Sequence, residues 1–202
     1  MKAVRAKLSS LSQVADVTGG FAFRSAIEAL PPGDVGVLQM SNVDALGFIN
    51  WSKTARVRLP DERRPNFISS GDIILAARGT NNYAALIERV EGPVVCTSQF
   101  FSIRVRSQQE LDVGFLVWQL NQKPCQDYLR REATGSYILN IRRDVLDRMP
   151  VALPPYDKQC TIAGLAKAAT RERVALSKLI ENRSAQLEAL AMDLFENAGT
   201  QE

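Results

Sequence analysis

Hydrophobic positions along the chain follow two rhythms that meet near Pro154-Pro155. Before that point they fall in short runs set off by turn residues: 35–40 (VGVLQM), 47–51 (GFINW), and 73–77 (IILAA) launched from Gly71-Asp72. A longer run, Val94 to Val105, places Phe101, Ile103 and Val105 on one side and Ser102, Arg104 and Arg106 on the other. Such period-two patterning predicts short strands. Two stretches switch to a helical period. Residues 111–131 carry Phe115, Leu116, Trp118, Leu120, Tyr128 and Leu129, with a break expected at Pro124, and 142–148 reads as a further short helix. Long regular alternation of strand and helix is missing, so the fold class is α+β with a mixed or mainly antiparallel sheet.

After Pro155 the rhythm is helical without interruption. All nine prolines and ten of the twelve glycines lie before residue 156. Residues 156–198 form one expected long helix, with 199–202 as a tail and 1–155 as a separate body. With Leu176 at a d position, the heptad seam runs Ile162, Ala166, Ala169, Arg173, Leu176, Ile180, Arg183, Leu187, Leu190, Leu194, so eight of ten seam positions are apolar. The 42 proline-free residues 156–197 at about 1.5 Å each span roughly 63 Å, longer than a body of this size can cover. The eight apolar seam residues are therefore the candidate interface with a second copy of the chain, and a helix folded back on its own body is the alternative.

Composition removes several chemistries. The chain has 202 residues and no histidine, which excludes the commonest metal ligand and the usual base of a nucleophilic triad. Cys96, Cys125 and Cys160 lie far apart without a CxxC pair, and read as idle thiols rather than a zinc site or a disulfide framework. No apolar stretch approaches a membrane span or a secretory signal, so the expected location is cytoplasmic. The net charge is +3, and 15 of the 19 cationic side chains before residue 156 are arginine, the side chain whose planar fork suits phosphates and guanine edges.

Five local features bear on function. Leu153-Pro154-Pro155-Tyr156 is similar to the Asn/Asp-Pro-Pro-Tyr motif of amino-methyltransferases, but leucine has no acceptor for an amino group. Thr18-Gly19-Gly20-Phe21 lacks the spacing of a methyl-donor loop. Asp72 has no carboxylate and lysine partners for a nuclease site and reads as a turn residue. Arg78-Gly79-Thr80-Asn81-Asn82 gathers groups able to meet phosphates or base edges in one loop, with a plain polar hairpin as the alternative. The run Thr134 to Arg143 has the same character, with Tyr137, Asn140, Arg142 and Arg143 near a helix start, and a capped helix entry is its alternative.

Taken in order, these pieces resemble the specificity (S) subunit of a type I restriction-modification system, in a short form with a single target recognition domain. The resemblance runs through Leu11-Ser12-Gln13-Val14-Ala15-Asp16-Val17-Thr18-Gly19-Gly20, the strand Gly71 to Gly79, the segment Thr97 to Ile103, and Thr134 to Met149 leading into Pro150–Pro155. The family's Pro-Pro-Leu-x-Glu-Gln-x-x-Ile here reads Pro154-Pro155-Tyr156-Asp157-Lys158-Gln159-Cys160-Thr161-Ile162, with lysine in the glutamate position. The resemblance implies a non-catalytic subunit without cofactor or metal. Its partners would be double-stranded DNA, a methyltransferase (modification) subunit and, in some assemblies, a translocating restriction subunit. Two copies would pair head to tail through the helix and read a bipartite target, with helix length acting as the ruler. Arg78, Thr80, Asn81, Asn82, Tyr137, Asn140, Arg142 and Arg143 are the expected DNA contacts, with Arg24, Lys53 and Arg56 holding phosphates. The alternative is a regulatory or interaction module that binds a methyltransferase subunit without reading DNA.

Overall fold

A computed structural model describes residues 6–23, 33–44, 47–59, 65–79, 82–135 and 140–198, with side chains to 196. The chain divides into two compact units, Met1–Ala163 and Gly164–Glu202. The elements of the first unit begin with β1 (Lys7–Ser10), α1 (Leu11–Val14), β2 (Ala15–Gly19), β3 (Val35–Leu38) and β4 (Ala55–Val57). They continue with β5 (Ile73–Ala76), β6 (Ala84–Leu86), β7 (Val94–Cys96), β8 (Phe100–Val105), α2 (Val113–Leu120), α3 (Lys123–Glu132), α4 (Arg143–Arg148) and β9 (Pro150–Leu153). Helix α5 (Tyr156–Ala198) begins in the first unit and makes up the described part of the second. The class is α+β, as expected.

The central sheet is antiparallel with strand order β2-β8-β5-β6, and a second, mixed sheet runs β4-β3-β7, with β3 and β7 parallel. In β5 all four residues are buried, because the sheet is covered on both sides. Ile73 and Leu75 join Leu11, Ile103, Phe115, Leu116, Leu129 and Val145 in the larger core under the helices. Ile74 and Ala76 face Leu38, Ala85, Cys96 and Phe100. A two-stranded ribbon pairs β1 with β9, from Lys7 opposite Leu153 to Ser10 opposite Pro150, which ties the early chain to the segment just before α5.

Amide side chains seal the places where ladders stop. Asn121 at the end of α2 accepts from Ala84 N (2.9 Å) and donates to Ala84 O (2.8 Å), extending the β6 edge as one more strand would. Gln119 makes the same two-way contact with Ala152 of β9, at 3.0 Å each way. Among the described residues no buried side-chain nitrogen or oxygen lacks a partner, which a core with these polar insertions requires.

Three expectations need correction. Residues 47–51 do not form a strand: Ile49 makes a single bridge to Val43, and Trp51–Lys53 is a 3₁₀ turn. Polar groups there take the backbone partners a strand would need. Asp44 accepts from Phe48 N (2.9 Å), Gly47 turns the chain at φ +84°, and Asn42 donates to Lys53 O (2.9 Å). Val94 to Val105 is two strands rather than one, split at Thr97–Gln99, so β7 joins the mixed sheet and β8 the central one. The helical stretch 111–131 breaks at Asn121-Gln122, and Pro124 sits in the first turn of α3, where its missing N–H costs nothing.

The crossing between sheets depends on Gly20. A Cβ there would sit 2.0 Å from Thr97 O and 2.7 Å from Cys96 O, backbone atoms that cannot step aside. Phe21 N donates to Cys96 O (2.7 Å) and Ser98 N to Phe21 O (3.0 Å) at the same place. Gly20→Ala is therefore expected to lower the unfolding free energy by about 3 kcal/mol, the upper end of overpacking costs, measured as a reduced urea midpoint with unchanged m-value.

Candidate nucleic-acid interface

The loop after β5 and the loop before α4, far apart in sequence, meet through backbone pairing. Ile141 N donates to Ala77 O (2.8 Å), Arg78 and Asn140 form an antiparallel bridge, and Asn140 exchanges two backbone bonds with Thr134 (2.9 and 3.1 Å). This framework aims side chains as well. Arg78 Nε donates to Asn140 Oδ1 at 3.3 Å, across 62 residues. Two residues later α4 starts, with Arg142 as its N-cap residue and Arg143 in its first turn.

Arg78, Arg142 and Arg143 are exposed and Asn140 is half-buried. Among the described residues Arg142 and Arg143 make loose ion pairs, at 3.6 Å to Asp144 and 3.5 Å to Asp147, with both arginine side chains over half exposed. Pairs of this kind contribute little to stability and leave the guanidinium free to turn to a phosphate. The cluster thus combines three exposed arginine forks with one amide whose backbone is pinned to Thr134, the mixture that suits positioning on a backbone plus reading of an edge.

The other expected contacts are placed differently. Asn82 is 2% exposed, its side chain donates to Ala76 O (2.8 Å) and its carbonyl accepts from Gln126 (2.8 Å), so it braces the loop from inside. Arg56, on β4 of the mixed sheet, donates to Gly33 O (3.2 Å) and Asp34 O (3.1 Å). Lys53 closes a 3₁₀ turn and is exposed. Arg24, Thr80, Asn81 and Tyr137 lie outside the described residues.

A second group of cations lies on and just after β8, and the sequence alone does not single it out. Arg106 donates to Asp16 Oδ1 through two nitrogens (2.9 and 2.7 Å). The hydrogen bond from Arg106, aided by the charges of Arg104 and Arg143, holds the Asp16 carboxyl, on the edge strand β2, below the usual range. Arg104 grips the buried Asp72 with two nitrogens, each at 2.7 Å, while Asp72 also caps Ser69 N (2.8 Å). Asp72 is therefore a turn residue, as its sequence context suggests, and also the buried half of an ion pair. The only sequence signal for this group was the polar side of the alternation in 102–106.

The three thiols are not alike. Burial pushes the Cys96 thiol up to about 12 and the Cys125 thiol up to about 11, whereas Cys160 is exposed on α5. Among the described residues no helix is long and apolar enough to cross a membrane.

Along α5, Ile162 and Ala163 pack against the body's larger core. From Leu165 onward nine large apolar side chains stand open: Leu165, Leu176, Leu179, Ile180, Leu187, Leu190, Met192, Leu194 and Phe195, between 56% and 81% exposed. Ala166 is half-buried and Ala169 exposed.

Residues 4–188 match the model of the type I restriction modification DNA specificity domain. The chain belongs to that family. No curated protein matches the chain. Among solved structures it is similar to the S subunit of a type I restriction-modification system from M. genitalium, at 18% identity and TM-score 0.60, covering 90% of this chain and 43% of that one. It is also similar to the HsdS subunit from Thermoanaerobacter tengcongensis, at 17% identity and TM-score 0.59, covering 87% and 39%. A third match, at 15% identity and TM-score 0.64, covers 91% and 43% and comes from a structure described as the basis of complex assembly and conformational transition of the type I R-M system. At these identities the likeness establishes the fold. The specificity domain spans about two fifths of the length of each of these structures.

Proposed function

We propose that this chain reads DNA for a type I restriction-modification system, and that two copies pair head to tail through α5 to recognise a bipartite target and bring a methyltransferase subunit to it. Residues 1–155 act as the recognition body and 156–198 as the pairing helix. The DNA reading is supported by the family match over 4–188 and by the joined Arg78, Asn140, Arg142 and Arg143. Arg142 and Arg143 hold phosphates, and Asn140 with Arg78 meets base edges.

One observation carries the pairing: the uncovered apolar row of α5. Leaving that surface in water forgoes about 25 cal/mol for every Å² that could be buried. Nine large apolar side chains left open on one helix mark a surface for association. A second copy running antiparallel covers the seam and places a body at each end about a two-fold axis. The 43 residues of α5 span roughly 65 Å at about 1.5 Å each. That is enough to hold two bodies on recognition sites about 34 Å apart, one turn of B-DNA. No catalytic step is assigned to the chain, and a restriction subunit joins as a third partner in some assemblies.

Selection of duplexes from a randomised pool by the purified chain, alone and with its methyltransferase subunit, tests this reading. The expected product is a two-part sequence with a fixed gap and inverted half-sites, and the same sequence should carry methylation in the host genome. Co-purification with a methyltransferase subunit without enrichment of any duplex would overturn DNA reading in favour of an interaction module.

A further inference from the structure

Gln159 stands out on the first turn of α5. It is 1% exposed, while Tyr156, Asp157, Lys158 and Cys160 around it are exposed. Its side chain accepts from Asp112 N (2.9 Å) and donates to both Glu110 O (3.0 Å) and Pro154 O (2.9 Å). Both amide protons are thus used. Asp112 in turn caps α2, accepting from Phe115 N at 2.7 Å. One side chain therefore links the start of α5, the turn leading into α2, the α2 cap and the end of β9.

A separate observation points to the same junction. At Gly114, in the first turn of α2, an added Cβ would lie 3.3 Å from Ala163 Cβ and 3.2 Å from Asp112 Oδ1. Two small residues let the helices meet closely there. An apolar side chain at 159 would fill the space without the desolvation cost of an amide, so burial alone does not account for glutamine. A fully bonded buried amide has one orientation, and it specifies geometry where grease would allow several.

We propose that Gln159 is a positioning residue: it fixes the first turns of α5 on the recognition body and thereby sets which half-site spacing the paired protein accepts. The proposal rests on the bipartite reading above and names its spacing determinant. Lysine at 158, where the family has glutamate, plays no part in this contact.

The test uses the full chain, spin-labelled at the native Cys160 and at Arg89→Cys on the body, and diluted with unlabelled chain. Cys96 and Cys125 are buried and Arg89 is exposed, so two sites take label. The wild-type background should show one narrow distance, Gln159→Leu a broadened one, and Gly114→Ala a shifted one. On duplexes selected by the wild type, lengthening or shortening the gap by one base pair should weaken wild-type binding by about tenfold or more, and Gln159→Leu binding by only about twofold. Affinity for a duplex with a single half-site should stay within about twofold of wild type in both variants. A distance unchanged in both variants, or an unchanged response to gap length, overturns the proposal. If Gln159→Leu fails to fold, Gly114→Ala and Gln159→Asn decide it by the same readouts. If the wild type selects no two-part sequence, the bipartite reading fails, and with it the spacing role, while the distance measurement still decides whether Gln159 holds the helix.

Discussion

Replacing Leu176 and Leu187 together by lysine is expected to leave a folded monomer. Both are seam positions, and in the single chain they are 60% and 67% exposed, so they hold nothing in the chain's own fold. In a symmetric pair the double variant removes four leucines from the seam, each contributing about 1.5–3 kcal/mol when buried, and introduces four ammonium groups that resist desolvation. The pairing constant should fall by more than about 10⁴-fold. Light scattering then reads a drop from twice the chain mass to one, while far-UV circular dichroism and the unfolding transition of the body stay as they were. Binding of a two-part duplex should drop to the level of a single half-site. A variant that still scatters as a dimer would show that the exposed row is covered in some other way.

Arg142→Ala with Arg143→Ala is expected to weaken duplex binding and flatten its salt dependence. Each phosphate contact contributes about 0.9 to the slope of log K against log salt, so losing two lowers the slope by about 1.8 per body. At moderate salt this amounts to roughly ten- to a hundredfold in affinity. The fold should tolerate the change, because the ion pairs to Asp144 and Asp147 are long and exposed and alanine is a strong helix former. Asn140→Ala should behave differently. It removes the acceptor for Arg78 and an amide able to read a base edge, so the loss should concentrate on the selected sequence and leave the salt slope nearly intact. A salt slope equal to wild type in the double variant would take Arg142 and Arg143 off the DNA face.

Some features were legible because they are local. The length of α5 follows from a stretch without proline and with Gly164 as its only internal glycine, and its open row follows from a heptad count. Strand β5 follows from an apolar run behind a Gly-Asp turn. Other features defeated the same reasoning. The run 94–105 looks like one strand until Thr97 turns and the two halves enter different sheets, a decision made by Gly20 arriving from far upstream. Residues 47–51 have strand composition, yet Asp44 and Asn42 claim their backbone groups. Asn82 reads as a polar loop residue and is buried against Ala76, while Ile162 reads as a seam residue and packs on the body's core.

What the sequence determined by itself was the inventory: an α+β body, one long helix with an apolar edge, arginine-rich loops, and the absence of histidine and of any cysteine pair. Those properties depend on residue type and on spacing within a few turns or one strand, which the chain carries wherever it goes. Only the tertiary structure decided which distant pieces touch. It joined Arg78 to Asn140, gave Asp72 to Arg104, and turned Gln159 from one polar helix residue among many into the anchor of a junction. Contacts of that kind depend on strand pairing between segments tens of residues apart, and no local propensity encodes them.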